Sequence, residues 1–403
     1  MRKVRYLLNI STIIFIVIIA SPLVSHGAAR TPPVEAGLEK VIVKVPAKWR
    51  KRPFIQKRSL YAPAGFKVSV FASGFMTPRF MAVGPDGFIY LSLPREGKIV
   101  VLPDRDHDGA ADEVIVYADG LDSPHGLVFR GGDLIVAETG ALVLLRDTNG
   151  DHKADVKKVI TKEIPYGGGH WTRTVVMGPD RALYVSVGSS CNVCVEKERR
   201  RATVLRFAGG EGGGKGKIFA SGLRNSVGIT FDFVSGELWG VDNGRDWLGN
   251  DLPPEELNNI KEGGDFGWPF CYGDKTPDPD YGSVERCKGT IPPAVKMQAH
   301  SAPLGITFGK GLNFPEKYKE GLFVAFHGSW NRTVPTGYKL VTIPFKKGRP
   351  AAEEPVDFIT GWLTDYHVWG RPVDPVVGAD GALYLSDDKA GAVYRIVYEG
   401  TGD

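Results

Sequence analysis

One phrase recurs along this chain: an apolar strand, a tight turn built on Gly-Pro-Asp-Gly or a near variant, and a second apolar strand. It runs Met81-Ala82-Val83-Gly84-Pro85-Asp86-Gly87-Phe88-Ile89-Tyr90-Leu91-Ser92, and again Val175-Val176-Met177-Gly178-Pro179-Asp180-Arg181-Ala182-Leu183-Tyr184-Val185-Ser186. A third clear copy spans Asp374 to Ser386, another begins at Gly126 with Gly131-Gly132 in its turn, and weaker copies begin at Gly228 and Gly305. Each of the six predicts a β-hairpin of short β-branched and aromatic strands. A further strand pair follows the hairpin, as in Gly97 to Leu102 or Ala392 to Ile396. Four-stranded sheets repeated around an axis limit their exposed edges by radial closure. The expected fold is therefore all-β, a six-bladed β-propeller over residues 61–400, with about 40 to 45 residues per blade plus loop insertions.

Composition agrees. With 42% hydrophobic and 24% charged residues, 51 glycines and 28 prolines, the chain is neither a coiled coil, nor disordered, nor a polytopic membrane protein. Fifty basic against 46 acidic residues leave a net charge of +4, which gives no reason to expect a nucleic-acid partner. Arg2, Lys3 and Arg5 precede an apolar run from Leu7 to Val24 and the small residues Gly27, Ala28 and Ala29. That is the pattern of a secretory signal peptide over residues 1–29. The rival reading is an uncleaved anchor, because the run approaches the roughly 18 residues that can span a membrane. Cleavage would leave no stable span and a periplasmic or secreted protein. Residues 30–60 contain four prolines and the basic string Lys48, Arg50, Lys51, Arg52, Lys57 and Arg58, and read as a solvated lead-in strap. A membrane-surface role for the string is the alternative.

Export places Cys191, Cys194, Cys271 and Cys287 in an oxidising compartment. Sequence order favours the pairs Cys191 with Cys194 and Cys271 with Cys287. The Cys191-Asn192-Val193-Cys194 run is also open to a redox or zinc half-site, although no second such run accompanies it. Two acidic loops, Asp104 to Asp112 and Asp147 to Asp155, lie 43 residues apart. Their alternating oxygen donors resemble half of an EF-hand loop, but Ile115 stands where its bidentate Glu would sit. A polar turn between strands is the favoured reading, with weak calcium binding the alternative. The longest insertion, Asn243 to His300, falls in the fourth and fifth units, and long loops in compact folds tend to carry function.

Polar groups that precede the inner strands should converge at one end of a propeller. Those groups are His125, His170, the pair Arg224-Asn225, and Arg371. Together they predict a cationic pocket with a group that titrates near neutrality. Three glycines lead into His170, and it is the best candidate for a general base.

At this point the residues resemble a known family. The run from Gly169-His170 to Gly178-Pro179-Asp180, the triplet Leu223-Arg224-Asn225, Asn243-Gly244-Arg245-Asp246 leading to Glu256-Leu257-Asn258 and Gly267-Trp268-Pro269, and Arg371-Pro372-Val373-Asp374 are similar to soluble pyrroloquinoline quinone (PQQ)-dependent glucose and sorbosone dehydrogenases. The resemblance spans about Ala62 to Tyr398. The runs Gly188-Ser189-Ser190-Cys191-Asn192-Val193-Cys194 and His327-Gly328-Ser329-Trp330-Asn331-Arg332 resemble the sorbosone dehydrogenase branch. The resemblance implies a periplasmic enzyme that oxidises an aldose, sorbosone or a related sugar and passes electrons to an external acceptor. It implies PQQ at the axial face with Ca2+, His170 as the base that takes the substrate proton, and Arg224 and Asn225 as donors to the quinone oxygens. It further implies backbone carbonyls of Gly244 and Arg245 on calcium, and Asn243 and Arg371 against the cofactor. Arg332, with Lys339 behind it, stands in for the family's cofactor lysine, and His125 for a cofactor glutamine. Two departures are plain: Ser189 stands where glucose-type members orient the base with Asp, and Val373 where they have a second cofactor arginine. Two other functions fit the same fold: a calcium-dependent, lactonase-like hydrolase, and a non-catalytic binding propeller.

Overall fold

The structure is a computed structural model that describes residues 37–208, 214–364 and 367–400; the expected signal segment lies outside the described residues. Six four-stranded antiparallel sheets stand around one axis, the propeller that the repeat predicts. Their innermost strands are Met81–Val83, Leu127–Arg130, Val175–Met177, Ser226–Phe231, Pro303–Phe308 and Pro372–Val377, which define blades 1 to 6. Each inner strand touches the next, and the sixth meets the first. Closure uses both ends of the chain, because the outer strand of blade 6 is Phe66–Ser73, paired with Ala392–Tyr398. Among the described residues no helix is long and apolar enough to cross a membrane.

The recurring turn has a physical cause. Asp86, Asp180 and Asp380 each accept the backbone N–H two residues on with one oxygen, and the tyrosine hydroxyl four residues on with the other. The carboxylate thereby closes the turn and fixes the tyrosine ring. Tyr90 then packs edge-on against Phe129 of blade 2, and Tyr184 against Phe231 of blade 4. A local sequence rule thus sets the packing between blades.

At the axis, equivalent positions near the start of each inner strand form a ring. Phe80, Val227, Leu304 and Val373 make a separate buried cluster; Val227, Leu304 and Val373 hold in blades 4, 5 and 6 the places that Arg79, His125 and Arg173 hold in blades 1, 2 and 3, and Phe80 stands one position on. One position further on, a Cβ at Gly228 would lie 2.0 Å from the Leu304 carbonyl oxygen, and one at Gly305 2.1 Å from an Asp374 oxygen. The inner strands approach too closely there for any side chain. Apolar groups occupy this level in blades 4 to 6, and the buried Arg79, His125 and Arg173 complete it.

The lead-in differs from the expected solvated strap. Leu38–Ile42 pairs with Ser59–Pro63, and Trp49, Phe54 and Leu60 are buried in the same core as blade 6. Trp49 also donates its indole N–H to the Ala111 carbonyl at 3.1 Å. Three large apolar side chains without periodicity anchor the segment, while Lys48, Arg50, Lys51, Arg52 and Lys57 stay exposed. The long insertion lies in blade 4, between Leu238–Asp242, Glu255–Ile260 and Val295–Met297, and on the way to blade 5. Both expected disulfides are present, Cys191 with Cys194 and Cys271 with Cys287. The acidic loops close on themselves: Asp104 accepts the N–H groups of Asp108 and Gly109, and Asp147 those of Asn149, Gly150 and His152.

Candidate active site

In an antiparallel blade, the residues before the inner strand and the loop between the second and third strands emerge at the same end. At that end, His170 precedes the inner strand of blade 3. Its Nδ1 lies 2.9 Å from Ser189 Oγ and 3.0 Å from the Ser189 carbonyl oxygen. The Ser189 hydroxyl donates to the Cys191 carbonyl at 2.6 Å, and a carbonyl only accepts, so Nδ1 carries the ring hydrogen. The bare lone pair is therefore on Nε2, which no described residue bonds. Burial, and then the cation of Arg224, lower the pKa of His170 to about 3, so the ring is neutral at ordinary pH. Ser189 thus holds the ring at the position where the resemblance implies an Asp in glucose-type members.

Gly188 separates His170 from Asn225, since a Cβ there would lie 2.6 Å from His170 Cβ and 2.8 Å from Asn225 Oδ1. Arg224 is buried and held on three sides. Its Nε donates to the Asn192 carbonyl at 2.8 Å, one terminal nitrogen to the Asn192 side-chain oxygen at 2.8 Å, and the other to the Asn243 carbonyl at 3.0 Å. Asp246 approaches it at 3.6 Å. The disulfide Cys191–Cys194 braces the loop that carries Asn192. Asn243 donates to the Pro303 carbonyl at 2.8 Å, and the Gly244 N–H to buried Glu255 at 2.8 Å. The Arg245 side chain is locked to Asp278 and Asp280, both at 2.8 Å. No described residue donates a hydrogen bond to the carbonyl oxygens of Gly244 or Arg245.

Across the axis, Arg371 donates to the carbonyls of His327 and Gly328, at 3.1 and 2.8 Å. His327 meets Asp388 at 2.9 Å, and Asp388 also takes Arg79 at 2.8 Å. Sequence reasoning missed Arg79, although it stands before the inner strand of blade 1 as His125 does before that of blade 2. Its Nε is buried without a partner. His125 itself is wholly buried, 4.2 Å from the Phe80 ring and 5.5 Å from that of Trp171. Its Nδ1 lies 3.3 Å from the Arg173 carbonyl oxygen, and its Nε2 has no partner. Desolvation, with Arg79 second, holds its pKa well below the ordinary value.

Arg332 does not join this group. Its guanidinium is engaged by the carbonyls of Val334, Asn250 and Ala299 and by Asp251, and Lys339 is paired with Asp357. The neighbour Asn331 faces the site instead, donating to Asp246 at 2.8 Å, with His300 Nδ1 at 3.2 Å. The Asp246–Asn331 contact also seats two adjacent indoles. Trp247 and Trp330 are 70% and 65% exposed, with rings edge-to-face at 5.3 Å, whereas Trp369 is buried. Trp247 sits at φ 73°, a left-handed conformation that a bulky residue adopts only when its surroundings impose it.

Residues 60–399 match the model of a family described as TrAA12-like. An uncharacterized protein of Borreliella burgdorferi is 31% identical over 358 residues, covering 85% of this chain and 91% of that protein. A pyrroloquinoline quinone-dependent pyranose dehydrogenase of Coprinopsis cinerea is 26% identical over 401 residues, covering 82% of this chain and 54% of that protein. The chain thus spans about half the length of that relative. The holo form of the PQQ domain of Coprinopsis cinerea pyranose dehydrogenase superposes with a TM-score of 0.73 at 23% identity, covering 89% of this chain and 99% of that one. That superposition shows a shared fold.

Proposed function

The chain belongs to the TrAA12-like family, and from that premise we propose that it is an exported oxidoreductase that oxidises an aldose, sorbosone or a related sugar with PQQ as oxidant. The observation that carries the reading is His170, a neutral imidazole whose Nδ1–H is fixed by Ser189 and whose Nε2 is bare. A base must be unprotonated and in reach of the proton it takes.

The residues present fit a planar polycarboxylate quinone. The apolar ring of Phe80, Val227, Leu304 and Val373 offers a floor for an aromatic face. Arg79, Arg224, Asn225 and Arg371 supply N–H donors suited to carboxylate and carbonyl oxygens, and the unpartnered Nε of Arg79 is a buried donor without an acceptor. The free carbonyls of Gly244 and Arg245 are hard oxygen ligands of the kind calcium takes. When bound, PQQ supplies a two-electron acceptor that no side chain of the protein can replace.

The chain's own residues do the rest. His170 Nε2 accepts the sugar hydroxyl proton as the carbon's hydrogen departs with its electron pair, while Ser189 keeps the ring's tautomer and direction. Arg224, immobilised by Asn192, Asn243 and Asp246, holds a fixed positive field beside the reaction, so no reorganisation is needed as charge develops. Trp247 and Trp330 offer apolar faces to the C–H side of a sugar ring. Alanine at both should raise KM for the sugar about tenfold and change kcat less than twofold; an unchanged KM in steady-state assays would remove the indoles from substrate binding.

The general test is to load the purified protein with PQQ and Ca2+ and follow dye reduction with aldoses and sorbosone. A cofactor spectrum and sugar-dependent dye reduction are expected; absence of both would sink the reading. A second result is expected from Cys191→Ser combined with Cys194→Ser. The closed loop is too short to contribute much stability, but it positions Asn192 against Arg224. Turnover should fall about tenfold, the range for removing groups that orient a site, with little change in Tm by calorimetry. Equal loss of both, or of neither, would contradict this role.

A further inference from the structure

From Lys40 to Tyr61 the chain carries eight lysines and arginines and no acidic residue. None of the eight forms an ion pair among the described residues, although the protein as a whole is only +4. The segment is pinned beside the mouth. Phe54 packs edge-on against Trp369 and Tyr394 at 6.3 and 6.0 Å, and the Arg58 guanidinium lies 5.3 Å from the Trp369 ring. Trp369 is two residues from Arg371. A cleft of about 530 Å³ opens there, with Arg52, Arg58, His367 and Lys389 in its wall. Lys389 follows Asp388, the carboxylate that joins His327 to Arg79.

We propose that this basic collar is the docking surface for an anionic electron acceptor. The inference rests on the oxidoreductase reading, which leaves electrons at the mouth that must pass to a partner. Unpaired cations crowded around a cleft repel one another, and their summed field attracts anions and raises encounter rates by about 10-fold or more at low salt. The two ends of the argument meet in space, because the collar ends at the residues that surround the site. Each sugar oxidised releases two electrons and two protons. Two one-electron acceptors are therefore reduced in turn at the collar, and the protons pass to solvent.

The test compares two dyes on the PQQ- and calcium-loaded protein: ferricyanide, a trivalent anion, and hydroxymethylferrocenium, a cation. The second-order rate constant for ferricyanide should fall about tenfold as ionic strength rises from 10 to 150 mM, as the Debye length shrinks from about 30 to 8 Å. It should fall by a similar factor at low salt in the Arg52→Glu, Lys389→Glu double variant, while the ferrocenium rate holds or rises. Equal responses of the two dyes would overturn the proposal. Hexacyanocobaltate, a redox-inert trivalent anion, is titrated in parallel into wild type and variant without cofactor. Binding that is lost in the variant and at 150 mM salt is expected; equal binding to both overturns the collar whatever the catalysis shows. Reduction of neither dye by loaded wild type would instead fall on the oxidoreductase reading, with the anion titration still deciding the collar. Adhesion to phosphatidylglycerol vesicles with no effect on either dye would make the collar a lipid contact and also overturn the proposal.

Discussion

His170→Ala is expected to lower kcat about 10³-fold while PQQ affinity changes less than twofold. The magnitude follows from what a positioned base contributes to a proton transfer, and the retained affinity from the proposed site, in which the cofactor's polar edges would meet arginines and Asn225 rather than the imidazole. Steady-state turnover and cofactor titration of the same preparation separate the two. Added imidazole should restore part of the lost rate, which a merely structural histidine would not allow. The pH profile is a second readout. Burial, then Arg224, lower the folded pKa of His170 from the ordinary 6.5 to about 3, so the working, unprotonated form persists down to that pH. No acid limb of kcat/KM should appear near 6.5. The same shift bears on stability. The unfolded chain protonates this ring below about 6.5 and the folded chain only below about 3. Its contribution is therefore complete above 6.5 and fades as pH falls toward 3. An acid limb at 6.5, or normal turnover in the variant, would assign the base to another group.

Val373→Arg should unfold the protein or cost more than about 4 kcal/mol, the range for an unpaired buried charge. Glucose-type relatives have an arginine at this position by resemblance, so restoring one looks like a gain of a cofactor contact. The structure argues otherwise. Val373 is 0% exposed and packed with Phe80, Val227 and Leu304, and the cations on that side come instead from Arg371 and, through Asp388, from Arg79. Val373→Ala, by contrast, should fold with a loss of about 1–3 kcal/mol and keep its PQQ affinity. Thermal unfolding of both variants decides. A Val373→Arg protein with normal Tm and tighter PQQ binding would show that the place is open to a guanidinium.

The blades were legible because their turns are local: an aspartate that bonds a tyrosine four residues on writes its own spacing into the chain. His170, Arg224, Asn225, Asn243 and Gly244 are joined by contacts through Gly188, Asn192 and Glu255; the place of the first three before the inner strands was readable from the repeat, whereas Asn243 and Gly244, which follow the second strand of blade 4, were legible only through the family resemblance. Arg79 was not, because its partner Asp388 lies 309 residues away and no local pattern announces the pair. The choice between Arg332 and Asn331 was equally hidden, since which of two adjacent residues faces the axis depends on the path of one loop. The lead-in misled for a different reason: Trp49, Phe54 and Leu60 are scattered among cations without a period, yet three large side chains are enough to fasten a strap.

The apolar ring at the axis has a kinetic consequence. In the proposed enzyme, with the floor of Phe80, Val227, Leu304 and Val373 beneath the site, sugar and oxidised product would use the same mouth that the collar borders, so the product must leave before an acceptor docked on the collar can take up electrons. Double-reciprocal plots should then be parallel rather than intersecting, and each reactant in excess should inhibit competitively against the other.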